Sequence, residues 1–125
     1  MKLTQESVYG IRLVKYLANL KKEEIVSAGD MSKELGIPVK FALKILRKLR
    51  KKEILESHRG ITGGYELKKG EVNIYEIVKA LQGDLYIIND FKVKKEPEDE
   101  IELELQKIQK DNIDKLKQIK IKKKY

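Results

Sequence analysis

The sequence predicts a mainly α-helical fold with one small β-hairpin and a long C-terminal helix. Of its 125 residues, 38% are charged and only two are prolines, a composition that suits helices with solvated faces. A glycine-rich stretch between two short strand-like runs, within residues 54–69, predicts the hairpin. An apolar stripe that follows Pro97 predicts the long last helix.

The first helix is expected over residues 4–20, where Thr4 can cap its N-terminus. Its apolar residues recur at helical spacing and predict one buried stripe. The stripe consists of Val8, Ile11, Val14, Leu17 and Ala18.

Two further helices follow, joined by a short turn. A capping pattern that begins at Ser27 predicts a helix over 28–35. Gly36 suits the C-terminus of this helix, and Pro38 suits the first turn of the next, which runs to about residue 52. The apolar stripe of that next helix is Ala42, Ile45, Leu46 and Leu49. Two helices joined by about three residues that include glycine are typical of a helix-turn-helix.

The hairpin is predicted from strands at 54–57 and 65–68, with the turn at 58–64. A fourth helix should then begin after the capping residue Asn73 and end at Gly83. A hairpin that follows a helix-turn-helix is called a wing, so the fold class is a winged helix-turn-helix with a long C-terminal helix.

The last helix is expected from residue 97 to about residue 120. Its stripe is Ile101, Leu105, Ile108, Asn112, Ile113, Leu116 and Ile119. A lone helix must bury such a stripe against something, and a small domain has little core left to offer. A second copy of the chain is the expected partner, and packing onto the first helix of the same chain is the alternative. The domain division is therefore 1–83 for the winged domain, 84–96 for a linker, and 97–125 for a dimerisation helix with a basic tail.

The positive charge is concentrated in two stretches. The net charge is +8 overall, and residues 38–69 hold ten Lys and Arg against three Glu. Residues 107–125 hold eight Lys against two Asp. A basic block inside a folded segment suggests a polyanionic partner such as DNA. The alternative is a set of ordinary solvated helix faces in a lysine-rich chain.

The third helix carries the residue types that read duplex DNA. An α-helix fits the major groove, and its N-terminal part reaches the base edges. Lys40 and Lys44 can donate to guanine or to phosphates, while Phe41 and Leu43 offer apolar surface for a thymine methyl group. For both apolar residues the alternative is packing into the core. The cations further along are expected to meet the phosphate backbone: Arg47, Lys48 and Lys51.

The hairpin tip suits a second kind of contact. Arg59 can enter a narrow minor groove, where the negative potential favours arginine. Gly60 lets the backbone approach phosphates closely, and Ser57 and His58 lie next to it in the sequence. His58 is the only histidine and has no evident metal partners, so a solvated or phosphate-contacting role is expected. Tyr65 is expected to anchor the hairpin to the domain.

Several classes of function find no support in the sequence. There is no cysteine, and no P-loop, nucleophile–base pair or metal-ligand spacing, so neither an enzyme, a metal site nor a cofactor is expected. No apolar run is long enough to cross a bilayer, and no signal-like stretch follows Met1. We therefore expect a cytoplasmic protein with no membrane partner.

Four short segments resemble a known family. They are Met1-Lys-Leu-Thr, the Gly36-Ile37-Pro38 turn, Ile45-Leu46…Leu49-Arg50-Lys51, and Ser57-x-Arg59-Gly60-x-x-Gly63-Gly64-Tyr65. Over about residues 1–90 the chain resembles the Rrf-two family of bacterial winged helix-turn-helix transcription regulators. The resemblance implies a homodimer whose long C-terminal helices pack against the partner. It also implies a palindromic operator, read by two recognition helices, with Arg59 in the minor groove.

The chain departs from the family pattern after the fourth helix. Family members that bind an iron–sulfur cluster carry three cysteines there, whereas residues 85–100 hold neither cysteine nor histidine. The better comparison is with cofactor-free members that respond to a partner protein or a small metabolite. The residues Tyr86, Ile87, Ile88 and Phe91 either pack at the dimer interface or line an effector pocket.

We therefore expect a sequence-specific DNA-binding regulator that acts as a repressor without an iron–sulfur cluster. A protein-interaction module and a nonspecific nucleic-acid binder on the same fold are the alternatives.

Overall fold

The computed structural model describes residues 2–86 and 97–125, and within them the architecture is a winged helix-turn-helix followed by a long helix. In chain order the elements are α1 (Gln5–Ala18), α2 (Ala28–Leu35), α3 (Val39–Lys51), β1 (Leu55–His58), β2 (Gly64–Leu67), β3 (Glu71–Asn73), α4 (Ile74–Gln82), α5 (Glu100–Gln118) and β4 (Lys120–Lys122). In this part of the chain no helix is long and apolar enough to cross a membrane.

Side-chain caps fix the starts of three helices where the sequence placed them. Thr4 accepts a hydrogen bond from the backbone N–H of Ser7, and Ser27 accepts one from Asp30. Asn73 caps α4 in the same way. Each cap satisfies a backbone donor that the first helical turn leaves unpaired.

The inward face of α1 differs from the predicted stripe. Val14, Leu17 and Ala18 are buried as expected, but Val8 is 38% exposed and Ile11 is only partly buried. The buried face instead also uses Ser7, Gly10 and Leu13. A Cβ at Gly10 would lie 2.2 Å from Leu81 Cδ1, the end of a flexible side chain, and 3.5 Å from Ile45 Cγ2, so Gly10 lies at a close contact of α1 with its neighbours. The buried face passes through Gly10 and leaves Val8 at the surface.

The helix-turn-helix forms as predicted. Gly36 ends α2 with a φ of 67°, and the Ser32 hydroxyl donates to the carbonyl of Ile37 in the turn. All four stripe residues of α3 have no exposed surface (Ala42, Ile45, Leu46, Leu49). Their burial directs the remaining faces of α3 toward the surface.

The hairpin is antiparallel, and each strand is shifted by one residue toward the turn relative to the predicted strands. Leu55 pairs with Leu67, and His58 pairs with Gly64. Both leucines are buried and hold the base of the hairpin on the core.

A second small sheet was not predicted. β3 pairs antiparallel with β4, so the C-terminal tail forms a strand next to the segment that precedes α4. The backbone of Lys124 also donates to the carbonyl of Ala18, at the end of α1, over 2.8 Å. The basic tail is therefore part of the fold, a role that the sequence did not predict.

The last helix is shorter than predicted at both ends. It starts after the capping residue Asp99 rather than at Pro97. Ile119 is its C-cap with an extended ψ of 112°, and its carbonyl accepts from the backbone N–H of Ile74. Ile119 therefore does not belong to the helical stripe, and that assignment is corrected.

The two halves of α5 differ in their surroundings. Leu116 packs against the core of its own chain, and Lys117 Nζ lies 5.0 Å from the ring centroid of Tyr75 on α4. Toward the N-terminus, Ile101 is 71% and Ile108 is 50% exposed. Packing onto the same chain thus occurs in part, mainly on α4 rather than on the first helix. The other predicted stripe residues are half-buried: Leu105, Asn112 and Ile113.

Candidate nucleic-acid interface

The surface of α3 is strongly basic. Of the five cations predicted to contact DNA, four are exposed and form no ion pair within the described residues: Lys40, Lys44, Arg47 and Lys51. The buried apolar stripe of α3 leaves these side chains no place in the core, so their charge is presented to solvent. An uncompensated row of cations on one helix attracts a polyanion.

The fifth cation, Lys48, has a partner in its own chain. Its Nζ lies 2.7 Å from Glu6 Oε1 on α1, with 37% of the Lys48 side chain and 19% of the Glu6 side chain exposed. The same Nζ is 3.5 Å from the Leu81 carbonyl. The charge of Lys48 is therefore largely compensated where α1, α3 and α4 meet.

Phe41 and Leu43 occupy different environments. Phe41 is 44% exposed, and its ring meets Tyr9 edge-on, with 6.3 Å between the centroids. Leu43 is half-buried and packs against the core. Phe41 thus keeps apolar surface at the start of α3, while Leu43 has much less to offer a partner.

The hairpin tip is exposed throughout. Ser57, His58, Arg59 and Gly60 all lie at the surface. Gly60 has a φ of 110°, a conformation that favours glycine, and its carbonyl accepts from the Gly63 N–H to close the turn. Arg59 forms no ion pair within the described residues, so its guanidinium is available.

A fully exposed isoleucine at the tip, Ile61, was not predicted as a site residue. The signal was present, because an isoleucine inside a glycine-rich turn has no core to enter. Its side chain gives the tip an apolar surface beside the Arg59 charge.

The wing is fixed to the helix-turn-helix through its second strand. The Tyr65 N–H donates to the Val26 carbonyl over 3.0 Å, and the two residues form a β-bridge just before α2. A Cβ at Gly64 would lie 2.3 Å from that same carbonyl oxygen, so only glycine permits the approach. The Tyr65 side chain packs against the core, as expected of an anchor.

Three titratable side chains come together on the hairpin. Glu56 pairs directly opposite Glu66, and His58 lies two residues after Glu56. His58 Nε2 is 3.0 Å from Glu66 Oε1. His58 was predicted to have no metal partners and to be solvated or to contact phosphate, and its contact with Glu66 was not predicted because it depends on strand register. A glutamate two residues before the histidine, in a strand, was the available clue.

The segment that follows α4 is described only up to residue 86. Tyr86 is half-buried, and its hydroxyl donates to Asp84 Oδ2 over 3.3 Å. The Asp84 carboxylate raises the pKa of Tyr86 above its ordinary value. The predictions for Ile87, Ile88 and Phe91 fall outside the described residues.

Comparison with known proteins finds a matching family model, relatives in sequence and a solved structure with the same fold. Residues 3–123 match the model of the Rrf2 (Rrf-two) family, described as "Iron-dependent Transcriptional regulator". "Protein rrf2" of Nitratidesulfovibrio vulgaris is 38% identical over 84 residues, which are 66% of this chain and 56% of that protein. The "HTH-type transcriptional regulator NsrR" of Bacillus licheniformis is 29% identical over 97 residues, 76% of this chain and 68% of its own length. The chain thus spans between about half and two thirds of these relatives.

A solved structure shares the fold almost end to end. "CymR (YrzC) the Global Cysteine Regulator of B. subtilis" superposes with a TM-score of 0.80 at 20% identity, covering 97% of this chain and 93% of that one. At this identity the likeness concerns the fold alone.

The iron in the family description finds no thiolate ligands here. Iron–sulfur clusters are held chiefly by cysteine thiolates, and these 125 residues contain no cysteine. A cysteine-ligated cluster does not fit this chain.

Proposed function

The chain belongs to the Rrf2 family of transcriptional regulators, and from that premise we propose that it binds duplex DNA in a sequence-specific manner, as a homodimeric repressor of a palindromic operator. The observation that carries this proposal is the row of four uncompensated cations on α3, followed in the chain by a hairpin with an unpaired arginine at its tip.

α3 is the recognition helix of this proposal. Lys40 and Lys44 near its N-terminus donate to guanine or to phosphates, and the exposed ring of Phe41 contacts a thymine methyl group. Arg47 and Lys51 hold the phosphate backbone and set the register of the helix. Leu43 and Lys48 contribute less, since one packs on the core and the other is paired with Glu6.

The wing makes the second contact. Arg59 enters the adjacent minor groove, and Ile61 lies against the sugars of the groove wall. Ser57, His58 and Gly60 lie at the phosphates that border this groove. The bridge between Val26 and Tyr65 holds the wing next to the start of α2. The wing is therefore attached to the same helix-turn-helix that carries the recognition helix.

The dimer forms through the exposed half of α5. Ile101 and Ile108 are 71% and 50% exposed within the described residues of their own chain, and a helix with an exposed apolar stripe is stable only when packed. A second copy supplies an identical stripe, and its two-fold symmetry matches the palindrome of the operator.

An effector protein or a small metabolite controls binding in this proposal, and the regulator acts on DNA in the cytoplasm. A cavity of about 540 Å³ beside α4 is a candidate location for a small molecule. Tyr75, Lys79 and Asp84 are among its lining residues, so it offers an aromatic surface and both signs of charge.

Selection from random duplex DNA at moderate salt tests the proposal. We expect enrichment of an inverted repeat whose half-sites are about one helical turn apart. A double variant, Lys40→Glu with Lys44→Glu, is the control and should enrich nothing. Binding with a steep salt dependence but no motif would indicate a nonspecific nucleic-acid binder. No binding to DNA at all would favour a protein-interaction module.

A further inference from the structure

We propose that the hairpin carries a binding site for a divalent transition-metal ion, formed by Glu56, His58 and Glu66. These three residues are called the wing triad below. The site lies outside the segment after α4 and uses no thiolate.

The register of the hairpin places all three ligands on one face. Alternate residues of a strand point to the same side, so Glu56 and His58 of β1 share a face. Glu66 of β2 is the direct cross-strand partner of Glu56 and shares that face as well. One donor atom from each residue lies within 4.8 Å of the other two, and His58 Nε2 and Glu66 Oε1 are 3.0 Å apart.

The distance between His58 Nε2 and Glu66 Oε1 matches that between two ligands of a bound ion, whereas the distances to Glu56 are bounded only by 4.8 Å. With metal–ligand bonds of about 2.0–2.2 Å, two ligands of one ion stand roughly 3–3.5 Å apart. Glu56 and His58 are exposed and Glu66 is half-buried, so rotation of the side chains closes the remaining gap without moving the backbone.

The electrostatics of the hairpin call for a cation at this place. Like charges directly opposite each other in a sheet are destabilising. Neither Glu56 nor Glu66 forms an ion pair with a lysine or an arginine in the described residues, and nearby Lys68 is paired with Glu53 at 3.4 Å. His58 is the only partner of Glu66 there. A divalent ion would replace this repulsion with two favourable contacts.

The donor set indicates the class of ion. One imidazole with two carboxylates suits a first-row divalent metal such as Zn²⁺. Ca²⁺ and Mg²⁺ prefer oxygen ligands only. Glu56 and His58 are exposed, so water can occupy the remaining coordination positions.

The consequence for DNA rests on the function proposed above. Glu56 and Glu66 place two negative charges on the element that carries Arg59 toward the phosphates. A bound divalent ion cancels both charges and links the two strands. Metal should therefore strengthen DNA binding, so that the wing itself responds to metal availability.

Zinc binding can be measured without DNA. The chain has a single histidine, so one set of imidazole resonances in the NMR spectrum reports on the site. We expect the His58 ring signals of the full chain to shift with Zn²⁺ in a saturable way, with calorimetry giving one ion per chain. Glu66→Gln, Glu56→Gln and His58→Gln should each weaken binding by at least ten-fold.

A matched control removes the same charge elsewhere. Glu34→Gln, on the exposed side of α2, should bind Zn²⁺ as the wild type does. Unmoved His58 signals, or equal zinc affinity in Glu66→Gln and wild type, would overturn the proposal. If Mg²⁺ displaced Zn²⁺ at equal concentration, the assignment of the site to a transition metal would be overturned. All four side chains are at least partly exposed, and thermal unfolding confirms that the variants are folded.

The regulatory step is tested separately, on the DNA motif obtained by selection. Zn²⁺ should raise the DNA affinity of the wild type several-fold and leave that of Glu66→Gln unchanged. If zinc binds but the DNA affinity does not change, the metal site is supported and its proposed regulatory role is overturned. Failure to select a motif would count against the proposed function and leave the zinc measurement intact.

Discussion

Lys48 of α3 and Glu6 of α1 form an ion pair 2.7 Å long in the middle of the winged domain. The pair links α3 to α1, and the Glu6 carboxylate compensates the charge of Lys48. Lys48 and Lys51 lie on the same helix, but Lys51 is exposed and forms no ion pair within the described residues. Two lysines that look alike in the sequence should therefore behave differently.

Lys51→Ala should weaken DNA binding at every sequence and reduce the salt dependence. The slope of log K against log salt is negative, and each lost phosphate contact reduces its magnitude by about 0.9. Lys48→Ala should change the slope much less and instead lower the free energy of unfolding, by up to about 1 kcal/mol since the pair is partly exposed. Titrations at several salt concentrations, with thermal unfolding of both variants, separate the two effects. An equal loss of slope in both variants would show that Lys48 leaves Glu6 to meet a phosphate.

Arg59→Ala should cost about 1–3 kcal/mol on the selected site, because it removes the minor-groove contact. Arg59→Lys keeps the charge but loses the guanidinium that suits a narrow groove, and it should recover only part of this loss. The measurement is the affinity of each protein for two DNA duplexes. One is the selected site, and the other is the same site with a G·C-rich flank, which has a wider minor groove. Wild-type affinity in Arg59→Ala would rule out the minor-groove role.

Much of the fold follows from local signals in the sequence. The caps Thr4, Ser27 and Asn73 and the α3 stripe depend only on residues a few positions apart, and all were predicted. Such signals act within one helix, where spacing alone decides which groups meet.

What escaped prediction depends on residues far apart in the sequence. β3 and β4 pair across about fifty residues, and no local pattern marks a three-residue strand. The buried face of α1 depends on the elements that pack against it, and Gly10 lies at such a contact, next to Leu81 of α4. In the candidate site, the basic face and Arg59 were readable from residue type. The Lys48–Glu6 pair and the wing triad required the tertiary register.

Gly64→Ala should destabilise the protein, because the added Cβ would lie 2.3 Å from the Val26 carbonyl oxygen. The nearest atoms to this Cβ all belong to the backbone of Val26 and Ser27, which cannot move aside as a flexible side chain could. We therefore expect a loss of about 1–3 kcal/mol in the free energy of unfolding. Gly70→Ala is the control, since a Cβ there meets nothing within 4 Å. Chemical denaturation of both variants provides the test. Equal stability would mean that the wing is not held to Val26.

Gln82→Ala should also destabilise the domain. The Gln82 side-chain oxygen accepts from the fully buried Ser7 hydroxyl over 2.6 Å, and its amide donates to the Lys2 carbonyl. Removing it leaves the Ser7 hydroxyl without this partner, at a cost of about 1–3 kcal/mol. Gln118→Ala, at an exposed position on the last residue of α5, is the matched control and should stay within about 0.5 kcal/mol of wild type. Denaturant midpoints that coincide for the two variants would refute the role of Gln82.

The proposed dimer is best tested with point variants on α5. Truncation at residue 97 would remove Leu116 from the core and β4 from its sheet, so loss of the dimer could then simply reflect unfolding. Ile108→Asp changes only the exposed half of the helix, where half of the isoleucine is uncovered. It should convert the dimer to a folded monomer at micromolar concentration, because a buried unpaired charge is costly at an apolar interface.

Lys110→Asp on the same helix introduces the same side chain away from the predicted stripe and should leave the dimer intact. Leu116→Ala should instead lower the stability of each chain by about 1–3 kcal/mol, at the lower end of large-to-small core changes because Leu116 is only partly buried. Sedimentation of the three variants beside the wild type distinguishes these outcomes. A dimer that survives Ile108→Asp would show that the exposed half of α5 is not the interface. Loss of the dimer in Ile108→Asp should also weaken binding to the full palindrome far more than binding to a half-site, because only a dimer engages both halves at once.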